Sequence, residues 1–485
     1  MFDSIATSRR SFLRGLASSL LMGASAAVVA CSASPAAPPT AASAPTAPAS
    51  APTKVTTPAS TTAPAAAPTS APTAASAATQ PTIAATAPAK TTGPVEISYV
   101  TWWLPPLNYG TGTNQAIGNY QKANPNVTVQ IIPVPGPPAA QLQKLQTLLA
   151  AGTPPDIALM RPFHQNAFAA KNVLRPVDDL FKTDQGLNRD DFWPQTMSRL
   201  TYKGKLSGLP AEMWVSFIMY NLDLLNKAGV KPPPSDWTWD QFLDLATKLT
   251  QASGANKQYG CNQPDWEMVV WSQGGNILNG DETKCILDQP PAPEAIQWDA
   301  DLILKSKAAP GPDALQGQSP QSMFETGRVG LYTIANWYIG DAKTNAKFPW
   351  DIALMPSGKI GRVPVVQGAN YAVMKDAKNS DAALAFMSYM SAGDGQKTMI
   401  TGTGLFPTVK SLAKPEFLTN YKPEWITLTL DSLKTARARN FVPQYDEMSN
   451  EFDKELSIVW TGKQTAAEAI KKIVPVVNQI LASSP

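Results

Sequence analysis

The sequence predicts an α/β fold with open, mainly parallel sheets that carry helices on both faces. Strands and helices alternate β-α-β-α-β within about 65 residues, from Glu96 to Met160, which is typical of a parallel sheet covered by helices. The region from Val95 to Pro485 has about 390 residues, enough for two lobes that each bury a core.

The first half of this region supplies the clearest elements. Strands are predicted over 96–101, 127–132 and 157–160, because these runs alternate or are rich in β-branched side chains. A helix lies between each pair, within 113–123 and around 142–149. Ligands of open α/β sheets sit beyond the carboxyl ends of the strands. Asp156, at the opposite end of its strand, is therefore predicted to be structural.

A long crossover joins the two halves of the region. Gly208 and Pro210 exclude a helix there, and 215–220 has the composition of a strand. Glu212 and Trp214 stand beside it and suggest one wall of a cleft, although a core strand with a stray tryptophan is equally compatible with these residues.

The second half is predicted to contain further helices and a second set of sheet strands, with no internal repeat. Capping boxes at Thr238 and Thr465 begin two helices, the second of which contains Pro475. The remaining predicted elements are helices over 294–304 and 381–391 and strands over 351–355 and 370–374.

The N-terminus has the features of an export signal and a lipid attachment site. Residues 8–14 form a twin-arginine motif, and a short apolar run over 16–30 ends at Cys31. Residues 1–30 are predicted to be a signal peptide, after which the lipidated Cys31 holds the protein on the outer face of the bacterial cytoplasmic membrane. The rest of 31–94 is almost entirely Ala, Pro, Thr and Ser, a composition typical of a disordered tether.

Charge and histidine content exclude several functions. Removal of residues 1–30 lowers the net charge from +3 to about +1, which argues against nucleic acid binding. His164 is the only histidine, so a two-histidine metalloprotease site is excluded, and no metal or cofactor is predicted. Two carboxylates acting alone, as in glycoside hydrolysis, remain the enzymatic alternative.

Two further cysteines, Cys261 and Cys285, remain in the exported region. An even pair in an exported protein predicts a disulfide, which would stabilise the fold by about 3–4 kcal/mol. Two buried free thiols are the alternative.

The order and spacing of several motifs resemble one family of binding proteins. These motifs are VTWW (100–103), NPNVTVQ (124–130), LLAAGTPPDIALM (148–160), GLPAEMWVSFIMYN (208–221), WSQGG (271–275), FETGRVGLYTIANW (324–337), VQGANYAVMKDAKNSDAALAFMSYM (366–390) and TAAEAIKK (465–472). Together they resemble the extracellular solute-binding proteins of ABC importers, in the sugar-binding family that includes maltose-binding protein.

The resemblance implies a type II periplasmic-binding-protein fold, with a ligand clamped between two lobes by hinge closure. One lobe is expected over 95–213 and 366–408, and the other over 214–365 and 409–485. The ligand contacts it implies are Trp102, Trp103, Arg161, His164, Glu212, Trp214, Asn336, Trp337, Gln367 and Asn370. Asp265, Trp266 and Trp271, between the two cysteines, are additional candidates.

We therefore predict a lipid-anchored monomer, not an enzyme, that delivers a mono- or oligosaccharide to the permease subunits of an ABC importer. The physical basis is that a pyranose face packs on an indole, while its hydroxyls need paired donors and acceptors. A polyol or a glycerol-phosphate-type ligand is the alternative within this class, and a phosphate would require more than one basic residue at the cleft.

Overall fold

A computed structural model describes residues 93–136, 138–251, 257–315, 317–401 and 403–483. The predicted export signal, Cys31 and nearly all of the tether therefore lie outside the described residues. The strands are β1 (Val95–Thr101), β2 (Val127–Pro133), β3 (Ile157–Met160), β4 (Thr201–Tyr202), β5 (Lys205–Leu206), β6 (Leu209–Pro210), β7 (Trp214–Asn221), β8 (Tyr259–Cys261), β9 (Val329–Ala335), β10 (Trp350–Ala353), β11 (Val366–Gln367) and β12 (Asn370–Val373).

The helices alternate with these strands through most of the chain. They are α1 (Asn108–Ala123), α2 (Pro138–Ala150), α3 (Pro162–Ala170), α4 (Leu180–Thr183), α5 (Pro194–Ser198), α6 (Leu222–Ala228), α7 (Trp239–Leu249), α8 (Trp266–Ser272), α9 (Ala292–Leu304), α10 (Pro312–Leu315), α11 (Pro320–Glu325), α12 (Ile339–Asn345), α13 (Ser380–Ala392), α14 (Asp394–Ile400), α15 (Pro423–Thr435), α16 (Tyr445–Trp460) and α17 (Ala466–Ala482). None of the described helices combines the length and apolarity needed to cross a bilayer.

Each of the two large sheets contains one strand that runs against the others. The first sheet has the order β2-β1-β3-β12-β6, and β12 is antiparallel to both of its neighbours. The second has the order β10-β7-β9-β8, with β11 also paired to β7, and here β7 is the reversed strand. Both reversed strands enter their sheet directly from the other one. We call the parts built around the two sheets the first and second lobes. The residues at which the chain divides between them stay a prediction.

Three chain segments cross side by side between the sheets. Gln367 pairs with Trp214, and the carbonyl oxygen of Ala369 accepts from the N–H of Ala211 at 2.8 Å. A third crossing joins them through a bridge between Met213 and Phe406. The first two crossings are so close that a Cβ on Gly368 would lie 2.1 Å from the carbonyl oxygen of Glu212. Only glycine fits there without movement of the backbone.

Several details confirm the local predictions. Thr238 and Thr465 both form complete capping boxes, and Pro475 lies inside α17. Asp156 is structural, because its carboxylate accepts from the Ser98 N–H at 2.9 Å and from the Asn379 N–H at 2.7 Å. These bonds tie the amino end of β3 to β1 and to the residue before α13.

The predicted disulfide is wrong, because Cys261 and Cys285 are both free and buried. Cys261 lies in β8, where burial, followed by the nearby Asp299 of α9, raises the pKa of its thiol. Cys285 lies elsewhere in the same core, and its N–H donates to Asn478 of α17. The even number of cysteines suggested a disulfide, but in the apolar core of the second lobe both thiols remain unbonded.

We therefore expect a reducing agent to leave the melting temperature of the folded protein unchanged. A disulfide would instead contribute about 3–4 kcal/mol, and its reduction would lower the melting temperature by several degrees. Thiol titration in denaturant, without reductant, should find Cys261 and Cys285 reactive. Their absence from that titration would contradict the structure.

Candidate functional site

The candidate site lies at the crossings, where several strand ends meet. Trp102 follows β1, Arg161 follows β3, and Trp337 comes two residues after β9. Trp214 begins β7 in the crossing itself. The sequence therefore directs these side chains to one region, because the carboxyl ends of strands in open α/β sheets face the ligand crevice.

An arginine and an indole form the wall contributed by the first lobe. The guanidinium carbon of Arg161 lies 4.6 Å from the ring centroid of Trp102, in cation–π geometry. Both residues are half-buried. The indole is therefore held in place by its neighbour while part of the pair remains accessible.

Glu212 is the buried acid of the crossing. Its Oε1 accepts from the N–H of Ala369 at 3.0 Å. Burial raises the pKa of Glu212, against the opposing effects of this hydrogen bond and of Arg199 and Arg161. Burial also lowers the pKa of Arg199 to about 9, although Glu212 acts in the other direction. A buried acid and two arginines thus lie close together under the cleft.

Tyr109 connects the two lobes beside this cluster. Its hydroxyl donates to the backbone carbonyl of Trp337, and its ring centroid lies 5.9 Å from that of Trp103. Burial, followed by the charges of Glu212 and Asp341, raises the pKa of Tyr109 well above its usual value. The phenol therefore stays neutral and can donate across the cleft.

A second arginine–indole pair lies in the second lobe. The guanidinium carbon of Arg437 stands 4.6 Å from the ring centroid of Trp271, and its Nη1 donates to Asn276 at 2.6 Å. Trp271 is only 1% exposed, and its Nε1 has no hydrogen-bond partner among the described residues. Such a buried donor is costly unless an acceptor from outside reaches it.

Gln367 and Asn370 lie on either side of Gly368 and Ala369 in the return crossing. Asn370 accepts from Nη2 of Arg199 at 3.1 Å. Within the described residues, Nε2 of Gln367 and Nδ2 of Asn370 have no acceptor, although both residues are at least nine-tenths buried. Like Trp271, they offer donors that the protein itself leaves unused.

Five predicted site residues are used mainly by the protein itself. Trp103 and Trp266 pack in the two cores, against Tyr371 and Phe452 respectively. The other three make polar contacts within the protein. Asp265 caps α8 and pairs with Arg439. His164 is buried with its Nε2 3.5 Å from Asp446, and Asn336 bonds to the crossing.

Asn336 holds the crossing strand to β9. Its Oδ1 accepts from the Val215 N–H at 2.6 Å, and its Nδ2 donates to the Tyr421 hydroxyl at 3.2 Å. The residue is completely buried. Both ends of the amide are therefore occupied within the protein.

Sequence reasoning missed Tyr109, Arg199, Arg437 and Arg439. Tyr109 lies in the first turn of α1, which begins before the predicted start of that helix. Arg437 and Arg439 belong to an irregular segment between α15 and α16 that has no periodic pattern. The one available signal was the pair of arginines at alternate positions beside Asn440.

Among the described residues, no group of three or more His, Cys, Asp or Glu side chains could hold a metal ion. Within that part of the chain, Arg161 and Arg437 instead lie against indoles, and Arg439 pairs with two carboxylates.

Three comparisons relate this chain to known proteins. A sequence profile described as bacterial extracellular solute-binding protein matches residues 105–397. A putative binding protein of Brucella abortus is 26% identical over 370 residues, covering 75% of this chain and 88% of that protein. The sn-glycerol-3-phosphate-binding periplasmic protein of Escherichia coli is 26% identical over 372 residues, covering 70% and 83%.

A solved structure is similar over most of its length. It is an ABC substrate-binding protein from Listeria monocytogenes in complex with cycloalternan, with 26% identity and a TM-score of 0.73. The similarity covers 80% of this chain and 98% of that protein.

We expect Asn336→Ala to lower the free energy of unfolding by about 2–3 kcal/mol, because the N–H of Val215 would be left buried without a partner. Chemical denaturation without ligand measures the effect. Asn226→Ala, at an exposed position of α6, is the matched control and should change stability little. If Asn336→Ala is as stable as the parent protein, Asn336 is not needed for the fold and is again a candidate ligand contact.

Proposed function

Because this chain belongs to the family of bacterial extracellular solute-binding proteins, we propose that it captures a mono- or oligosaccharide and delivers it to an ABC importer. The sugar is bound between the lobes, which close around it by movement at the three crossings. Binding and closure involve no chemical change in the ligand. The closed, loaded form is the one that engages the permease subunits.

The observation that carries this proposal is the combination of half-buried indoles with unused buried donors at the crossings. Trp102, Trp214 and Trp337 are half-buried, and an indole face suits the C–H face of a pyranose ring. Nε2 of Gln367 and Nδ2 of Asn370 lack acceptors within the described residues. Sugar hydroxyls accept as well as donate, so they satisfy such donors in a site that excludes water.

A glycerol-phosphate-type or polyol ligand is the second candidate. Arg199 joins Arg161 near Glu212, which gives the two basic residues that a phosphate requires. The relative from Escherichia coli is described as a glycerol-3-phosphate-binding protein. Glu212 neutralises part of this positive charge, and this favours the uncharged sugar over the phosphate.

The contacts made by the carboxylates near the cleft argue against a glycoside hydrolase. Such an enzyme needs two carboxylates about 5–10 Å apart across the substrate. Asp265 and Glu267 are both paired with Arg439, and Glu212 bonds to the Ala369 N–H. Binding without turnover is therefore the expected behaviour.

We further propose that the protein is an exported lipoprotein. The twin-arginine motif over 8–14 and the apolar run ending at Cys31 support export followed by lipid attachment. The Pro-rich region over 32–94 then serves as a tether, which would reach about 190 Å if fully extended. The binding module acts as a monomer at the outer face of the membrane.

Thermal-shift measurements against sugars, polyols, glycerol-3-phosphate and glycerophosphocholine will test the ligand class. A ligand at 100 times its Kd stabilises the protein by about 2.7 kcal/mol. We expect a sugar to raise the melting temperature and to be recovered unchanged. A response to phosphate esters alone would support the second candidate, and consumption of the sugar would support the hydrolase.

Trp102→Ala and Trp337→Ala should each weaken binding of the identified ligand about tenfold. Trp350→Ala is the matched control, because this half-buried indole stacks on Trp425 away from the crossings. Isothermal titration compares the three variants with the parent protein. Equal losses in all three would show that the effect arises from general destabilisation rather than from ligand contact.

Cys31→Ser should release the exported protein from the membrane, because the lipid supplies the anchor. Fractionation of cells with and without the substitution measures the distribution. Cys261→Ser is the control, since that thiol is buried in a core and does not contact lipid. Membrane association that survives Cys31→Ser would contradict the lipoprotein proposal.

A further inference from the structure

A group of aromatic side chains joins the two lobes beside the candidate site. Phe163, in the first turn of α3, stacks on Tyr445 at the start of α16, with 6.0 Å between ring centroids and 28° between planes. Phe441 completes the group, at 6.3 Å from Phe163 and 4.8 Å from Tyr445.

Polar contacts reinforce this aromatic group from both sides. Nδ2 of Asn166 donates to the carbonyl oxygen of Phe441 at 2.6 Å. Nε2 of His164 lies 3.5 Å from the carboxylate of Asp446. All these contacts join α3, which follows β3 of the first sheet, to the segment 441–446 of the second lobe.

Two residues of this contact are almost completely buried. Phe441 is only 4% exposed and His164 only 2%. Burial of aromatic surface between lobes favours the closed form over the open form, in which these rings would meet water.

We propose that Phe163, Phe441 and Tyr445 form an aromatic latch that sets the fraction of closed protein independently of ligand identity. The latch contributes no hydrogen bond to the solute and acts through the open–closed equilibrium. Apparent affinity varies with the population of the binding-competent form. When ligand enters the open form and is retained by closure, a substitution that destabilises the latch lowers the affinity for every ligand by the same factor.

Distances between spin labels test the latch directly. Lys144→Cys on α2 and Asn450→Cys on α16 are exposed positions, and α2 and the start of α16 line the two sides of one surface groove. The labels are placed in the full chain with Cys31→Ser, and the buried Cys261 and Cys285 are retained. In ligand-free protein, Phe163→Ala should shift the distribution to longer distances.

Two further variants distinguish loss of the latch from a general effect of removing an aromatic ring. Asn166→Ala removes the bond to Phe441 with little loss of packing and should give a smaller shift in the same direction. Phe348→Ala is the matched control, because this half-buried ring packs on Phe324 within the second lobe. An unchanged distribution in folded Phe163→Ala and Asn166→Ala would overturn the proposal.

The effect on affinity rests on the proposed function and is measured separately. For every ligand that the screen identifies, Phe163→Ala should weaken binding by the same factor, roughly 2- to 10-fold. Losses that differ from ligand to ligand would instead make Phe163 a ligand contact. If no compound binds, the proposed function fails, while the label distances in ligand-free protein still decide whether the latch exists.

Discussion

The pairing of the crossings is the constraint on which the rest of the structure depends. Main-chain bonds join the segment around Glu212 to the segment around Ala369, so the two sheets are connected by paired backbone rather than by loose linkers. The absence of a side chain at Gly368 allows this approach, and the amide of Asn336 ties β7 to β9 directly beside it. A short paired ribbon can bend while its ends stay in register, which is what the proposed lobe closure requires.

The pairing of the crossings also explains why the candidate site lies beside them. The reversed strand of each sheet is the one that arrives from the other lobe, so the strand ends of both sheets converge on the crossings. Glu212 is buried there with arginines nearby, and the half-buried Trp214 lies two residues further along the same crossing. The fold thus creates a region in which apolar faces and unused donors occur together, which is the chemistry expected of a site for hydroxylated solutes.

Much of the fold was predictable because its signals are local. The β-branched run before Trp102 and the capping boxes at Thr238 and Thr465 gave elements that the structure confirms. The site residues were harder to predict, because residue type does not reveal whether a side chain bonds to a ligand or to another part of the protein. Asn336 and Asp265 have the chemistry of ligand contacts but bond to Val215 and Arg439. Arg437 and Arg439 lie in an irregular segment, where no periodicity indicates direction.

The free thiols of Cys261 and Cys285 have a consequence for how this protein is made. Because Cys261 and Cys285 are free, the described part of the chain requires neither an oxidant nor an isomerase to reach its final structure. Formation of the two lobes therefore does not depend on an oxidising compartment. Both lobes can therefore be complete under reducing conditions, and the same structure is expected under oxidising ones.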